Sequence, residues 1–348
     1  MLVARTSWKG LSVGSSVRLF TSYGLRSNKY VITDKFGVLR EKYHTPKYPI
    51  VLCHGFSGFD TINFLSGFEV VDKYLETNGT KRLLGFELDY WRGIGVALQK
   101  LGCKVLVAQV PPFGTIKDRA KILEIFLELQ CEMVKRTSKE EISYPIKVNL
   151  ISHSMGGLDS RYLISKLQNK GINKKYQVVS LTTISTPHRG SEVADFFDDL
   201  VTAVSPLKLI APHALYDLTT KSMTQFNKDI VDDPNVEYFS YGAKFVPHPF
   251  NTFYLTWCLM RYRITRAFKR ENIKVPKIAI ENDGLVSVKS AKWGNYLGTL
   301  DQVDHLDLIN WTNRIRLAMD KFVWKRKPKF NAIALYSDIV ENLAKRGF

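Results

Sequence analysis

Residues 146–157 constrain the fold of this chain more than any other stretch. Ile146-Lys-Val-Asn-Leu-Ile151 reads as a strand, and Ser152-His153-Ser154-Met155-Gly156-Gly157 follows without a spacer. Gly157 to Leu167 then reads as a helix. A serine on a sharp turn between strand and helix has its hydroxyl held clear of the sheet. The residues two before and two after it must be small, because strand and helix backbones meet there. Gly156 meets that need, whereas Ser152 stands where glycine is usual, and its Cβ predicts a more strained turn. Ser152 is the poorer nucleophile candidate, since Leu150 would occupy its small position.

The same alternation surrounds this unit. Pro49–Cys53, Lys104–Val110 and Gln177–Ile184 read as buried strands, and Asp89–Lys100 and Lys117–Arg136 as helices. Strands alternating with helices imply βαβ units and a parallel sheet. From about 191 the pattern loosens into helical pieces and loops. Lys277–Ile280 reads as one more short strand, and Leu306–Trp324 as a helix packing back on the sheet. The expectation is an α/β-hydrolase fold over residues 34–348: a mostly parallel sheet flanked by helices, with a helical cap or lid over about 191–275. A chain of 348 residues, 45% of them hydrophobic, is large enough for one core plus such a cap.

Net charge is +17, and three segments carry all of it: 1–33, 261–277 and 314–348. A nucleic-acid binder would spread basic groups over its main surface, so no nucleic-acid partner is expected. Residues 1–33 hold Arg5, Lys9, Arg18, Arg26 and Lys29, six serines and no acid, the pattern of a mitochondrial presequence. Mitochondrial localisation is therefore expected. Phe253–Arg270 mixes large apolar groups with five cations. Leu255, Leu259, Tyr262 and Phe268 could share one helix face, so 253–277 is expected either to touch an anionic membrane or to pack as a cap helix with solvated cations. Cys53, Cys103, Cys131 and Cys258 show neither metal spacing nor a CxxC pair and are expected to be free thiols.

A serine nucleophile needs a histidine to take its proton and a carboxylate to orient that histidine, and on this fold the order is serine, acid, histidine. Asp283 follows the 277–280 segment, and His305 comes 22 residues later. His153 adjoins the nucleophile and faces another way, while His188, His213 and His248 lie in a turn or in the expected cap. The tetrahedral oxyanion needs donors. One is the backbone N–H of Met155, and a second is that of Phe56 in His54-Gly55-Phe56-Ser57-Gly58. His54 and Gly55 are expected to border the substrate.

The sequence His54-Gly-Phe-Ser-Gly-Phe-Asp60, Asp89-Tyr-Trp91, Val148–Gly157, Thr186-Pro-His-Arg-Gly-Ser191, Asn282-Asp-Gly-Leu-Val286 and His305-Leu-Asp307 resembles, in order, the landmarks of bacterial true lipases of the Pseudomonas and Burkholderia type. It is similar also to the mitochondrial triacylglycerol lipases of yeast related to them. The resemblance implies hydrolysis of acylglycerol esters through an acyl-enzyme under a helical lid. It assigns Ser154, Asp283 and His305 to a catalytic triad and Phe56 and Met155 to the oxyanion hole. The bacterial enzymes also hold a structural calcium through the aspartate of His-Leu-Asp and a second aspartate upstream of the catalytic acid. Asp307 matches the first, but no aspartate lies between 234 and 282 for the second. No metal and no cofactor are therefore expected, and Asp307 is expected to brace the His305 loop. The expected partner is a lipid ester. Phospholipase, thioesterase or acyltransferase chemistry on the same triad, or a non-catalytic membrane-docking role, are the alternatives.

Overall fold

The computed structural model describes residues 31–56, 90–138, 141–170, 173–204, 212–249, 251–311 and 330–348. Seven strands form one sheet in which every pairing is parallel. In chain order they are β1 Val31–Ile32, β2 Ile50–Cys53, β3 Val105–Ala108, β4 Ile146–His153, β5 Tyr176–Ile184, β6 Glu237–Lys244 and β7 Asn295–Asp301. Their spatial order is β1-β7-β6-β5-β4-β2-β3.

Helices cover both faces, so the central strands bury alternate residues in two different cores. Ile50 and Leu52 of β2 join Trp91, Ile94 and Leu98 near α1 (Ile94–Lys100) on one face. Val51 and Cys53 join Leu123, Phe126 and Leu127 of α2 (Ile116–Thr137) on the other. Thr115 caps α2 by accepting from the Asp118 N–H, which satisfies one of the helix's free first-turn donors. The elbow helix α3 (Gly156–Tyr162) runs on through a wider π-type turn at Leu163–Leu167. Cys53, Cys103 and Cys131 are buried free thiols, and Cys258 is free and half-buried.

The chain leaves β2 toward β3, then returns past β2 to build β4 and the rest of the sheet on its other side. Adjacent strand ends whose connections depart in opposite directions leave a crevice there, the usual binding place of open parallel sheets. His54-Gly55-Phe56 and Ser154 leave the sheet at that switch point.

Four expectations need correction. Lys277–Ile280 is a 3-10 turn, not a strand; Pro276 and Lys277 precede too few apolar residues to extend it. The helical insertion over 191–275 is interrupted by β6, which pairs along β5 and β7. The helical parts are α4 (Glu192–Ala203), α5 (His213–Asp217) and α6 (Thr220–Asp229) before β6, and α7 (Tyr254–Arg270) after it. Short α8 (Val288–Ala291) precedes β7, and α9 (Ala332–Lys345) packs Leu335, Ile339 and Leu343 into the Trp91 core. Where a helix was expected from Leu306, Asp307–Ile309 forms a single 3-10 turn that ends at Asn310 in the left-handed region; 312–324 lie outside the described residues. Finally, Val31 and Ile32 pair with Thr299 and Leu300, so the last residues read as presequence belong to the sheet.

Candidate active site

The elbow follows from β4 stopping against α3 with no loop between them. Ser154 sits at φ 55, a left-handed conformation that costs a non-glycine residue of order 1–3 kcal/mol. Its surroundings impose that geometry. The Ser154 N–H donates to the Ile184 carbonyl at 3.0 Å, and the Thr186 hydroxyl donates to the Ser154 carbonyl at 2.7 Å. A Cβ on Gly156 would lie 2.5 Å from the Cys53 carbonyl oxygen and 2.6 Å from that of His54, so the end of β2 requires glycine there. Ser152 departs from expectation. It remains in regular strand register opposite Cys53, and its hydroxyl shares a 2.8 Å hydrogen bond with Ser160 of α3. The positive φ falls on Ser154, not on Ser152, so the serine adds a strand-to-helix bond and not a strained turn.

Asp283 and His305 come from loops beyond neighbouring strands. The Asp283 loop is not carried by a strand of its own. It docks on the end of β6, where the Phe245 N–H donates to the Asn282 carbonyl, and it closes by an Asn282–Ser287 bridge. His305 follows β7. Its Nδ1 lies 2.7 Å from Asp283 Oδ2, and its own N–H donates to the Asp283 carbonyl at 3.0 Å. Asp283 Oδ1 accepts from the N–H groups of Leu285 and Val286 at 3.0 and 2.7 Å. The carboxylate is fully buried with both oxygens engaged, so its rotamer is fixed and Nδ1 of His305 must carry a proton to complete the pair. Nε2 is then the basic nitrogen. The His305 ring lies 4.5 Å, centroid to centroid, from the ring of His153, the residue before Ser154, and Phe253 meets it edge-on. The elbow and the acid–histidine loops thus meet at one place.

Phe56 packs with Met155, Ile116 and Leu158 in one apolar cluster. Among the described residues, nothing accepts a hydrogen bond from the N–H of Phe56 or of Met155. The His54 side chain is buried. Its Nε2 accepts from the Val110 N–H at 3.2 Å, so Nδ1 carries the proton and donates to the Gly55 carbonyl at 2.9 Å. Burial, with Arg119 nearby, pushes its pKa down to about 3. Both ring nitrogens are engaged within the protein, so the ring braces the loop. Gly55 does border the elbow: a Cβ there would lie 2.6 Å from Ser154 Cβ.

Arg119 is the residue that sequence reasoning missed. It is fully buried in α2. Its guanidinium donates to Asp159 Oδ2 at 2.8 Å, to the Pro111 carbonyl at 2.8 Å and to the carbonyls of His54 and Gly55 at 2.7 and 3.3 Å. In a trans peptide the N–H points opposite to the C=O. Holding the Gly55 carbonyl toward Arg119 therefore aims the Phe56 N–H the other way. Desolvation holds Asp159 up at about 6 despite this partner. The available signal was position: Arg119 lies on the stripe of Ile116, Ala120, Leu123 and Leu127, the buried face of α2.

Asp307 accepts the Asp304 N–H at 3.2 Å, and Asp304 accepts from Leu306 and Asp307, so these carboxylates close the His305 turn. Among the described residues no cluster of three or more His, Cys, Asp or Glu forms a metal-ligand set.

Triacylglycerol lipase 2 of Saccharomyces cerevisiae is 39% identical to this chain over 332 residues, covering 88% of this chain and 94% of that protein. The chain belongs to the triacylglycerol lipase family. It is a carboxylic ester hydrolase. Residues 115–229 match the family described as "Putative serine esterase (DUF676)", a range that contains both Arg119 and the elbow. A triacylglycerol lipase of Burkholderia plantarii is 34% identical over 164 residues, covering 47% of this chain and 36% of that protein. The structure of lipase 1 from Pelosinus fermentans shares the fold at 18% identity, with a TM-score of 0.56 over 86% of this chain and 99% of that one.

Proposed function

We propose that this lipase hydrolyses the ester bonds of triacylglycerol and diacylglycerol through an acyl-enzyme on Ser154. The observation that carries the reading is the buried Asp283–His305 pair, whose imidazole meets the residue preceding Ser154. His305 Nε2 takes the Ser154 proton as the hydroxyl attacks the ester carbonyl. The N–H groups of Phe56 and Met155 receive the oxyanion. His305 then returns the proton to the departing alkoxide, and water repeats the sequence on the acyl-enzyme. Asp283 holds the tautomer and opposes the imidazolium charge. A panel of emulsified triacylglycerol, phospholipid vesicles and acyl thioester, with product analysis, tests the substrate class. Free fatty acid from the triacylglycerol is expected; cleavage confined to phospholipid or thioester would contradict it.

The enzyme works at an anionic membrane surface through α7. Met260, Ile264 and Phe268 are its buried face, so Phe268 does not share a face with Leu255 and Tyr262. Leu255 is 78% and Tyr262 60% exposed, on a helix that also carries Arg266, Lys269 and Arg270. That combination suits the headgroup region of an anionic bilayer. Among the described residues no helix is long and apolar enough to cross a membrane. Changing Arg266, Lys269 and Arg270 together to Gln is expected to weaken sedimentation with anionic vesicles on the order of 100-fold at low salt, at about 1 kcal/mol per charge. Unchanged binding would sink the idea. The basic, serine-rich, acid-free start of the chain supports delivery to mitochondria. A reporter carrying residues 1–30 that stays outside mitochondria would contradict that address.

A further inference from the structure

Tyr90 lies outside the five groups to which the reaction assigns a step, yet its phenol touches two of their loops. The Gly55 N–H donates to Tyr90 Oη at 3.0 Å, and the same oxygen lies 2.7 Å from Nδ1 of His153. A backbone N–H can only donate, so Gly55 occupies a lone pair of the phenol oxygen. Among the described residues His153 Nδ1 is the one acceptor beside the phenol, so the phenol's own proton is directed at it. Neutral His153 must in consequence carry its ring proton on Nε2. We propose that Tyr90 is a positioning residue, which fixes the His153 tautomer beside His305 and ties the Gly55–Phe56 loop to the Ser154 elbow.

Further observations support this role. The His153 ring is buried and lies 4.5 Å from the His305 ring. Burial, then the neighbouring His305, push the His153 pKa well below the ordinary range. An uncharged ring there does not oppose the imidazolium that His305 becomes during turnover. Tyr90 is itself anchored from the loop that follows His305. The Trp311 indole donates to the Tyr90 carbonyl at 3.1 Å, and the Asn310 amide donates to that of Arg92 at 2.8 Å. One phenol thus links the loop after β2 to the end of β4, and its backbone is held by the loop after β7. The space is also fitted to it, since a Cβ on Gly55 would lie 3.0 Å from Tyr90 Oη.

The kinetic part of this inference rests on the ester-hydrolase reaction proposed above; the tautomer part does not. The test uses full-length protein with histidine ring nitrogens labelled with 15N, at pH 7, as wild type and Tyr90→Phe, with emulsified ester kinetics on the same samples. The seven histidines keep the spectrum assignable, His153 being identified by its loss in His153→Gln. Wild-type His153 is expected as the neutral Nε2–H tautomer. In Tyr90→Phe it is expected to lose that single state, with kcat falling about 10- to 100-fold and KM within about twofold. An Nδ1–H tautomer in the wild type would overturn the proposal without any variant, as would an unchanged His153 signal in Tyr90→Phe. A changed signal with unaltered kcat would overturn the positioning role. A wild type that hydrolyses no ester would sink the reaction instead, and the ring signals would still decide whether Tyr90 sets His153.

Discussion

Asp283→Asn is expected to lower kcat about 10,000-fold while leaving the melting temperature within a few degrees. The reason lies in how the two oxygens of Asp283 are used. Oδ1 accepts two backbone N–H groups and Oδ2 accepts His305 Nδ1. An asparagine would keep its carbonyl toward the Leu285 and Val286 N–H groups, because its amide cannot accept from them. Its NH2 would then face His305 and impose the tautomer with the proton on Nε2. The imidazole would remain in place but present a donor, not a base, to Ser154. Paired measurement of kcat and thermal unfolding checks this. Full activity in a folded Asp283→Asn protein would remove Asp283 from the reaction, and loss of activity together with loss of fold would make its role structural.

Arg119→Met is expected to cost about 3–5 kcal/mol of stability, a fall in melting temperature on the order of 10 °C. Arg119 and Asp159 form an ion pair buried beneath the elbow. Removing the guanidinium strands the Asp159 carboxylate, whose other oxygen already has no partner among the described residues. The carbonyls of Pro111, His54 and Gly55 lose a donor at the same time. A buried pair can often be replaced whole by apolar groups, whereas breaking it leaves an uncompensated charge. Arg119→Met with Asp159→Leu is therefore expected to melt above Arg119→Met alone. Its kcat should remain depressed, because nothing then holds the Gly55 carbonyl and aims the Phe56 N–H. Thermal melts and kcat on the two variants separate stability from alignment. Equal melting of wild type and Arg119→Met would contradict the first part, and wild-type kcat in the double variant the second.

The parts of this molecule that the sequence revealed are those with a local cause. Ile50–Cys53 is a continuous apolar run, and Ile146, Val148, Leu150 and Ile151 mark the second strand, because both faces of the central strands are buried, and the elbow follows the second directly. β6 was hidden because Ser240 and Gly242 interrupt its run. They suit a crowded interior only once Trp293 and Tyr296 are in place: the Ser240 hydroxyl donates to the Trp293 carbonyl, and a Cβ on Gly242 would lie 2.8 Å from Tyr296 Oη. β7, with Asn295, Gly298 and Thr299, was hidden for the same reason. Lys277–Ile280 misled in the opposite sense, its apolar composition serving to pack a turn beneath α7. Among the site residues, Ser154, Asp283 and His305 could be ordered along the chain, but the roles of His54, Tyr90 and Arg119 depend on contacts 35 to 65 residues apart. No spacing rule along the chain encodes such pairs.

The central claim is that Ser154 is the nucleophile served by Asp283 and His305. Labelling purified protein with a fluorophosphonate and mapping the adduct by peptide mass spectrometry tests it most directly, with Ser154→Ala alongside in an ester-hydrolysis assay. The account predicts one phosphonylated peptide, bearing the group on Ser154, and no labelling with hydrolysis lowered about a million-fold in Ser154→Ala. An adduct on another serine, or hydrolysis that survives in folded Ser154→Ala, would contradict it.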